Sequence, residues 1–203
     1  MHTQPPAQLT SHRREVRTRL LAAAEQQLEE LGFAATSPAD VSLLAGIGRT
    51  TFYEYFSDME DVLVSLVEQR MPEVTKRIVA LVPHELPMRD QLAELAVRMV
   101  EFAATDHVLG VRLHQDLPAL RPDIQARIGA AHRSLSAEFA RIYTTGVAQG
   151  ELRSIPPDLA GLFLRELVMA AAKTLMNLDE PKSRLHEVAD ELVRFLLHGL
   201  DPV

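Results

Sequence analysis

The chain has 203 residues, of which 47% are hydrophobic and 24% are charged, and its formal net charge is −7. This composition excludes disordered and collagen-like proteins, and the length allows one sizeable core or a small domain joined to a larger one. The absence of cysteine excludes disulfides, thiolate metal sites and a cysteine nucleophile. The acidic balance argues against general affinity for nucleic acid, because phosphates attract lysine and arginine.

The segment MHTQPPAQLT is polar and contains two prolines, where a secretory signal would need an apolar run. No later segment has the roughly 18 uninterrupted apolar residues that a membrane span needs. We therefore expect a cytoplasmic protein that does not bind a membrane.

The first predicted helix covers residues 12–31, after a flexible arm over residues 1–11. Its apolar residues recur at steps of three and four, and Gly32 follows as a stop signal. The segment HRREVRTR at its start holds four of the five arginines that precede residue 59. Arginines at this end oppose the helix dipole, so the cluster is either an ordinary solvated helix start or a group that attracts phosphates.

The second predicted helix begins in the segment TSPADVSLLAG. Ser37 is its expected N-cap, Pro38 occupies the first helical position, and Asp40 lies three residues after the cap. Gly46 can end this helix and make the following turn, because glycine adopts a positive φ without a steric penalty.

The third predicted helix covers residues 48–56, in the segment GIGRTTFYEYF. Phe52 and Phe56 lie four residues apart, so both point toward the two preceding helices. The pattern is one longer helix followed by two short helices, which a tight glycine turn joins. This is typical of a helix-turn-helix domain, which we place in residues 12–61.

A long helix is predicted over residues 57–82, and the segment SDME at its start indicates a capping box of Ser57 with Glu60. Met71-Pro72 marks an expected kink within it. Further helices are predicted over residues 88–106, 107–117, 122–149, 157–177 and 182–199, separated by segments rich in proline and glycine. The sequence thus predicts an all-α protein with a larger helical domain over residues 62–203.

Residues 14–63 closely resemble the N-terminal DNA-binding domain of the TetR family of transcriptional regulators. The matching segments, which lie at the family's spacing, include Leu31-Gly32-Phe33, Ala45-Gly46-Ile47, Thr51-Phe52-Tyr53 and Tyr55-Phe56. Two positions differ from the family: Gly48 stands where Ser or Thr is frequent, and Met59 stands where Lys is frequent. We therefore expect a slightly weaker cap at Gly48 and no DNA contact from Met59.

The resemblance implies a ligand-responsive repressor whose C-terminal domain binds a small, apolar organic effector and forms a homodimer. Such a dimer would read half-sites about 34 to 36 Å apart, or near a multiple of that distance, in a palindromic double-stranded operator. Effector binding would shift the helix that begins at Ser57 and release the DNA. No enzyme activity, metal or cofactor is expected.

Seven residues are candidate DNA contacts: Arg14, Ser37, Arg49, Thr50, Thr51, Tyr53 and Tyr55. Arg49 can bind guanine O6 and N7, although it could instead pair with a phosphate or with Glu54. The threonines can contact a thymine methyl or a phosphate, and the tyrosines can donate to phosphates. Ser37 can bind a phosphate or simply cap its helix, and Thr51 and Tyr55 could belong to the core.

The effector site is expected in the C-terminal domain. Its candidate residues are Met99, Phe102, Phe139 and Tyr143 as apolar lining and His114 as a polar anchor, with His107, Arg112 and His132 as further polar candidates. Taken singly, each of these side chains fits the core or the surface better than a ligand contact.

The last two predicted helices are expected to form the dimer interface. The segment LAGLFLRELVMAAAKTLM is apolar almost all round, and the following helix has one broad apolar face. Pairing both helices with their copies would bury them in a four-helix bundle through residues such as Leu164, Val168, Leu192 and Leu196. A monomer that buries both helices in its own core is the alternative.

Two other functions compete with a regulator. A helical bundle could be an enzyme, but none of the eight histidines follows a glutamate by three positions, so the ligand pair of di-iron bundles is absent. No nucleophile elbow or P-loop occurs either. A sensor whose DNA-binding head has decayed is the other alternative, and the missing lysine at position 59 is the sole indication for it.

Overall fold

The computed structural model describes residues 6–106 and 108–200, without the side chains of residues 6–10, 112, 157, 158 and 182. This part of the chain is helical and contains no strand, which confirms the all-α prediction. Two short 3₁₀ turns, Phe33–Ala35 and Leu117–Ala119, connect helices. The α-helices are α1 Pro6–Leu31, α2 Pro38–Ala45, α3 Arg49–Phe52, α4 Met59–Ala80, α5 Met88–Thr105, α6 Val111–Asp116, α7 Pro122–Ala131, α8 Arg133–Ala148, α9 Pro157–Met176 and α10 Pro181–Leu200.

The chain divides into two compact units. The first contains the described residues of Met1–Gln69 together with Asp116–Ile128, and the second contains those of Arg70–Gln115 and Gly129–Val203. The sequence places every residue after 61 in the C-terminal domain, whereas the structure assigns residues 62–69 and 116–128 to the N-terminal unit. The chain therefore passes from one unit to the other three times, inside α4, inside α6 and inside α7.

In the first unit, α1 packs against α2, and α2 packs against α3. The apolar stripe of α1 is buried as its spacing predicts, with Val16, Leu20, Ala24 and Leu28 in the core. Helix α1 begins at Pro6 rather than at residue 12, so residues 6–11 of the predicted arm are helical, and residues 1–5 lie outside the described part.

The start of α4 differs from the predicted capping box by one residue. The helix begins at Met59, so Asp58 is its N-cap, and the Asp58 carboxylate accepts a hydrogen bond from the backbone N–H of Asp61 at 2.9 Å. The Asp61 carboxylate in turn accepts from the backbone N–H of Ser57 at 3.2 Å. The pattern of two acidic or hydroxyl residues three positions apart occurs twice in SDMED, and the helix uses the second. Helix α4 continues through Pro72 to Ala80.

In the second unit, α5 packs against α8, α9 and α10, and α9 packs against α8 and α10. The inward residues of α5, which include Leu92, Leu95 and Val100, are buried by these neighbours. The single helix predicted over residues 122–149 is instead two, because the chain breaks at His132 between α7 and α8. Helix α6 is also shorter than the predicted 107–117.

Candidate nucleic-acid interface

The capping and turn residues predicted from the sequence form both ends of α2 in the helix-turn-helix. The Ser37 hydroxyl caps α2 by accepting from the backbone N–H of Asp40 at 3.2 Å. At the other end, Gly46 adopts the left-handed conformation, with φ 63° and ψ 38°, and its N–H donates to Leu43 O at 3.1 Å. The next N–H, from Ile47, donates to Ser42 O at 2.9 Å, which completes a Schellman-type end.

Arg19 of α1 binds the backbone carbonyls of this turn. Its Nη2 atom donates to Ala45 O at 2.5 Å and lies 3.3 Å from Gly46 O. A cation at a helix C-terminus is favourable because the last carbonyls there lack helical partners. Arg19 is therefore a structural arginine of the predicted basic cluster.

The recognition segment after the turn is shorter as a helix than predicted. Helix α3 covers Arg49–Phe52, and hydrogen-bonded turns continue it to Phe56, whose N–H donates to Phe52 O at 3.0 Å. Gly48 forms its N-cap without a side-chain hydrogen bond, as the missing hydroxyl predicts. Phe52 and Phe56 are buried, with ring centroids 5.8 Å apart, so this side of the segment belongs to the core.

Other side chains of this segment remain accessible to a partner. Arg49, Thr50 and Tyr53 are exposed, and Tyr53 keeps half of its surface accessible to solvent. Within the described residues the Arg49 guanidinium has no acidic partner, so the alternative pair with Glu54 is not formed. Thr51 is half-buried between the two sides. The three exposed side chains form one arc that could enter a DNA groove.

The arginines of α1 have different surroundings. The Arg13 guanidinium lies 5.8 Å from the centroid of the Tyr55 ring, and that of Arg17 lies 5.5 Å from the Phe56 ring. These cation–π contacts join the start of α1 to the end of the recognition segment. Among the described residues, Arg14 is exposed and makes no such contact. The sequence pattern did not separate these roles, because they depend on contacts between distant residues.

Met59 is buried in the first unit, where it is 8% exposed. The position at which the family often has lysine therefore contributes to the core.

The candidate effector residues that the structure describes lie in the second unit but in different environments. Met99 and Phe102 of α5 are half-buried, as is His114 of α6, whereas Phe139 of α8 is buried. Burial lowers the pKa of His114, with smaller contributions from neighbouring positive groups, while its Nδ1 atom lies 3.2 Å from Gly110 O. His107 and the side chain of Arg112 lie outside the described part.

Tyr143 has a structural role that the sequence did not indicate. Its hydroxyl oxygen accepts from the backbone N–H of Ile155 at 2.8 Å and lies 3.0 Å from Arg153 O and 3.2 Å from Ile155 O. A phenol has one proton to donate, so both of its hydrogen-bonding functions are used by the loop before α9. The sequence predicts Tyr143 as apolar lining of the effector site, and the structure adds that its hydroxyl is held by this loop.

The residues predicted at the dimer interface are buried within the single chain. Leu164, Val168, Leu192 and Leu196 are between 1% and 7% exposed within the single chain, so they pack in its own core. The exposed apolar side chains on the same two helices are Leu159, Leu162, Phe163 and Phe195. Phe195 borders a surface hollow that is also lined by Glu191, Arg194 and His198.

Residues 6–106 and 108–200 lack two classes of feature. No helix in this part combines the length and hydrophobicity of a membrane span. Nor does it contain a group of three or more His, Asp or Glu side chains arranged to hold a metal ion.

Comparisons with known proteins agree with the predicted family. Residues 20–66 match the family model described as bacterial regulatory proteins of the tetR family, and residues 85–173 match the tetracyclin repressor-like C-terminal domain. The fatty acid metabolism regulator protein of Bacillus subtilis is 22% identical over 89% of this chain and 93% of its own length. The transcriptional repressor KstR2 of Rhodococcus jostii is 27% identical over 84% of this chain and 85% of its own.

A solved structure gives the same fold. The regulator FadR from Bacillus subtilis, in complex with stearoyl-CoA, superposes with a TM-score of 0.75 at 22% identity, covering 90% of this chain and 98% of that one. These relatives are transcriptional regulators rather than enzymes. Both family models, the relatives and the fold thus confirm the resemblance in the sequence, and the chain belongs to the TetR family of helix-turn-helix transcriptional regulators.

Proposed function

We propose that the protein is a cytoplasmic repressor that binds a palindromic operator as a homodimer and releases it when a small, mainly apolar organic effector binds. The observation that carries the DNA-binding part is the exposed arc of Arg49, Thr50 and Tyr53 on a segment whose Phe52 and Phe56 are buried. Arginine can read guanine by two hydrogen bonds, and tyrosine can donate to a phosphate.

The proposed homodimer rests on α9 and α10. Their inner faces are in the core of the second unit, yet Phe163 remains 53% exposed and Phe195 69% exposed. An aromatic side chain in solvent gains about 25 cal/mol for each Å² of apolar surface that a partner covers. In an isologous interface each such contact occurs twice. Because Leu162, Phe163 and Phe195 are exposed, they are better placed for it than the three leucines and one valine of the sequence-based prediction, which are buried.

The proposed effector class is supported by a relative and by α5. FadR, with the same fold, was solved with stearoyl-CoA, which carries a long apolar acyl chain. In this chain Met99 and Phe102 lie on the half-buried side of α5, where apolar ligand atoms could contact them. We place the effector in the second unit, near these two residues. Its binding would shift the population of dimers toward a form that holds operator DNA less tightly.

Operator binding is tested on the DNA upstream of the protein's own gene. Purified protein is titrated into a labelled fragment of this region and, separately, into a fragment of scrambled sequence, at several salt concentrations. We expect the upstream fragment to bind at least about a thousandfold more tightly than the scrambled one, because specific DNA binding is typically tighter than non-specific binding by about 10³ to 10⁷. Equal binding to both fragments, or none to either, would favour a sensor with a decayed head.

The homodimer is tested by charge insertion. Phe163→Glu with Phe195→Glu should shift the sedimentation coefficient from dimer to monomer, since both glutamates would lose water in the interface. Leu81→Glu is the matched control, because Leu81 is 55% exposed in the turn that follows α4 and is not part of this surface. An unchanged dimer in the double variant would show that the interface lies elsewhere. Glutamate at Leu192 or Leu196 is a poor probe, because it would place a charge in the core of the chain itself.

The effector class is tested by thermal unfolding with stearoyl-CoA and other acyl-CoA esters, together with hydrophobic metabolites. A ligand at a hundred times its dissociation constant should stabilise the folded state by about 2.7 kcal/mol. The same compound should raise the dissociation constant for the upstream fragment. Stabilisation by polar compounds alone would contradict an apolar effector.

A further inference from the structure

Residues 116–128, here called the α7 segment, belong to the compact unit that carries the helix-turn-helix. Their apolar residues Leu120, Ile124 and Ile128 are buried. In the same unit, the six residues Val62–Val67 of α4 are all buried. Six consecutive helical residues cover the whole circumference at about 100° each, so this part of α4 is enclosed on every side.

Arg121 of the α7 segment contacts the first residues of α4. Its Nη1 atom donates to Asp58 Oδ2 at 2.5 Å, and its backbone N–H donates to Glu60 Oε2 at 3.1 Å. Its Nε atom lies 3.6 Å from the same Glu60 oxygen. Arg121 therefore holds the N-cap residue of α4 and the second residue of its first turn.

Arg127, nearly two turns later, contacts two further carboxylates of α4. It is bidentate to Glu68, with Nε–Oε1 at 2.9 Å and Nη2–Oε2 at 2.8 Å. The remaining Nη1 atom donates to Asp61 Oδ1 at 3.2 Å. Asp61 and Glu68 are seven residues apart and so lie on one face of α4, which allows one guanidinium to bridge them.

The two aspartates are shared between these arginines and the cap of α4. Asp58 uses Oδ1 for the backbone N–H of Asp61 and Oδ2 for Arg121. Asp61 uses Oδ2 for the backbone N–H of Ser57 and Oδ1 for Arg127. Each carboxylate oxygen thus has its own donor. Burial raises the pKa of Asp58, but the Asp61 N–H and Arg121 outweigh it, so the pKa is lowered and the carboxylate stays charged.

The position of this cap connects it to DNA recognition. Ser57 directly follows Phe56, the last residue of the recognition segment, and its backbone N–H is held by Asp61. A change in the orientation of the cap would therefore change the direction in which the chain leaves the recognition segment. Neither arginine lies on the exposed arc of Arg49, Thr50 and Tyr53.

We propose that Arg121 and Arg127 are positioning residues for operator recognition, which hold the Asp58–Asp61 cap of α4 from the α7 segment and so orient the recognition segment without contacting DNA. This inference rests on the proposed operator binding. It extends the reading head to a part of the chain that the helix-turn-helix pattern does not contain.

The test uses Arg121→Gln, Arg127→Gln and Arg127→Lys in the full-length protein, with titrations of upstream and scrambled DNA at several salt concentrations. Arg127→Gln should raise the dissociation constant for upstream DNA by about threefold to tenfold, on the scale of a networked exposed ion pair, with Arg121→Gln acting in the same direction. Binding to scrambled DNA should change by less than about twofold, and the salt slope should stay constant, because no phosphate contact is lost. Arg127→Lys keeps the charge but not the bidentate geometry, so it should restore part of the affinity.

Arg141→Gln is the matched control. Arg141 forms the same bidentate arrangement with Glu138 at 3.0 and 2.7 Å, but both residues lie on α8 of the second unit. The Arg141→Gln variant also removes one positive charge, but it should leave the preference for upstream over scrambled DNA unchanged. The proposal is overturned if the α7 variants bind both DNAs like the wild type, or if they lose about one unit of salt slope on both, which would indicate direct phosphate contacts. Failure of the proposed function would look different, because the wild type itself would then not prefer the upstream fragment.

Discussion

Replacing Tyr143 with phenylalanine should destabilise the protein without changing the ligand that it binds. The ring is buried and would remain, so the apolar surface covered by the fold stays constant. The change removes the oxygen that accepts from Ile155 N–H at 2.8 Å and the proton shared between Arg153 O and Ile155 O. The variant thus isolates the hydrogen bonds of one hydroxyl group.

The expected loss in the free energy of unfolding follows from the backbone groups that Tyr143→Phe leaves without a hydrogen-bond partner. A buried donor or acceptor that loses its partner costs about 1 to 3 kcal/mol. Ile155 is half-buried, and water can therefore reach part of this loop, which places the expected loss at about 1 to 2 kcal/mol. For a protein of this size each kcal/mol lowers the melting temperature by about 2 to 4 °C.

Thermal and urea unfolding of Tyr143→Phe measure this loss, and Tyr53→Phe is the control. Tyr53 is exposed, so its variant should unfold like the wild type while binding upstream DNA less tightly. Tyr143→Phe should show the opposite behaviour. If it kept the wild-type melting temperature and urea midpoint but no longer released DNA with an active acyl-CoA ester, the hydroxyl would be a ligand anchor, and the structural role argued above would be wrong.

Four further results are expected. Arg49→Ala should weaken upstream DNA binding by about 1 to 3 kcal/mol and relax the preference at one base pair of each half-site, as titrations against single-base variants of the operator would measure. Arg14→Ala should weaken upstream and scrambled DNA equally and reduce the salt slope by about one unit; a loss of specificity here with none at Arg49 would place recognition in α1. Gly46→Ala should lower stability by about 1 to 2 kcal/mol in urea unfolding, because alanine is strained at φ 63°. Because the pKa of His114 is lowered in the folded protein, the unfolded chain binds a proton at this position first as the pH decreases. The free energy of unfolding should therefore fall as the pH decreases through about 6.5. His114→Gln should flatten this dependence in unfolding experiments from pH 8 to 5.

Local signals predicted the features that neighbouring residues determine. The Ser37 cap and the Gly46 turn each depend on a few consecutive residues, and both form as expected. The exposed and buried sides of the recognition segment also follow from the spacing of Phe52 and Phe56. The predicted start of α4 differs from the observed start by one residue. Two overlapping capping patterns fit the same five residues, and the local sequence does not choose between them.

Features that depend on tertiary packing were not predictable in this way. The strongest apolar faces of α9 and α10 were assigned to a partner, but the chain uses them for its own core, which leaves weaker apolar stripes with Phe163 and Phe195 outside. Tyr143 looked like pocket lining because its hydrogen-bonding partners come ten and twelve residues later. The pairs of Arg121 and Arg127 join residues about sixty positions apart, and no periodicity indicates such contacts.

The inclusion of the α7 segment in the N-terminal unit limits how freely this regulator can be recombined with others. A chimera that joined residues 1–69 to a foreign sensor domain would keep the whole helix-turn-helix, yet it would lose both arginines and the buried Leu120, Ile124 and Ile128. Asp58, Asp61 and Glu68 would then face solvent as an uncompensated acidic cluster at the start of α4. Hybrid repressors built from this head should therefore carry residues 116–128 as part of the graft, and the choice of sensor is restricted to those that can accept a helix of this length and direction at the same point of the chain.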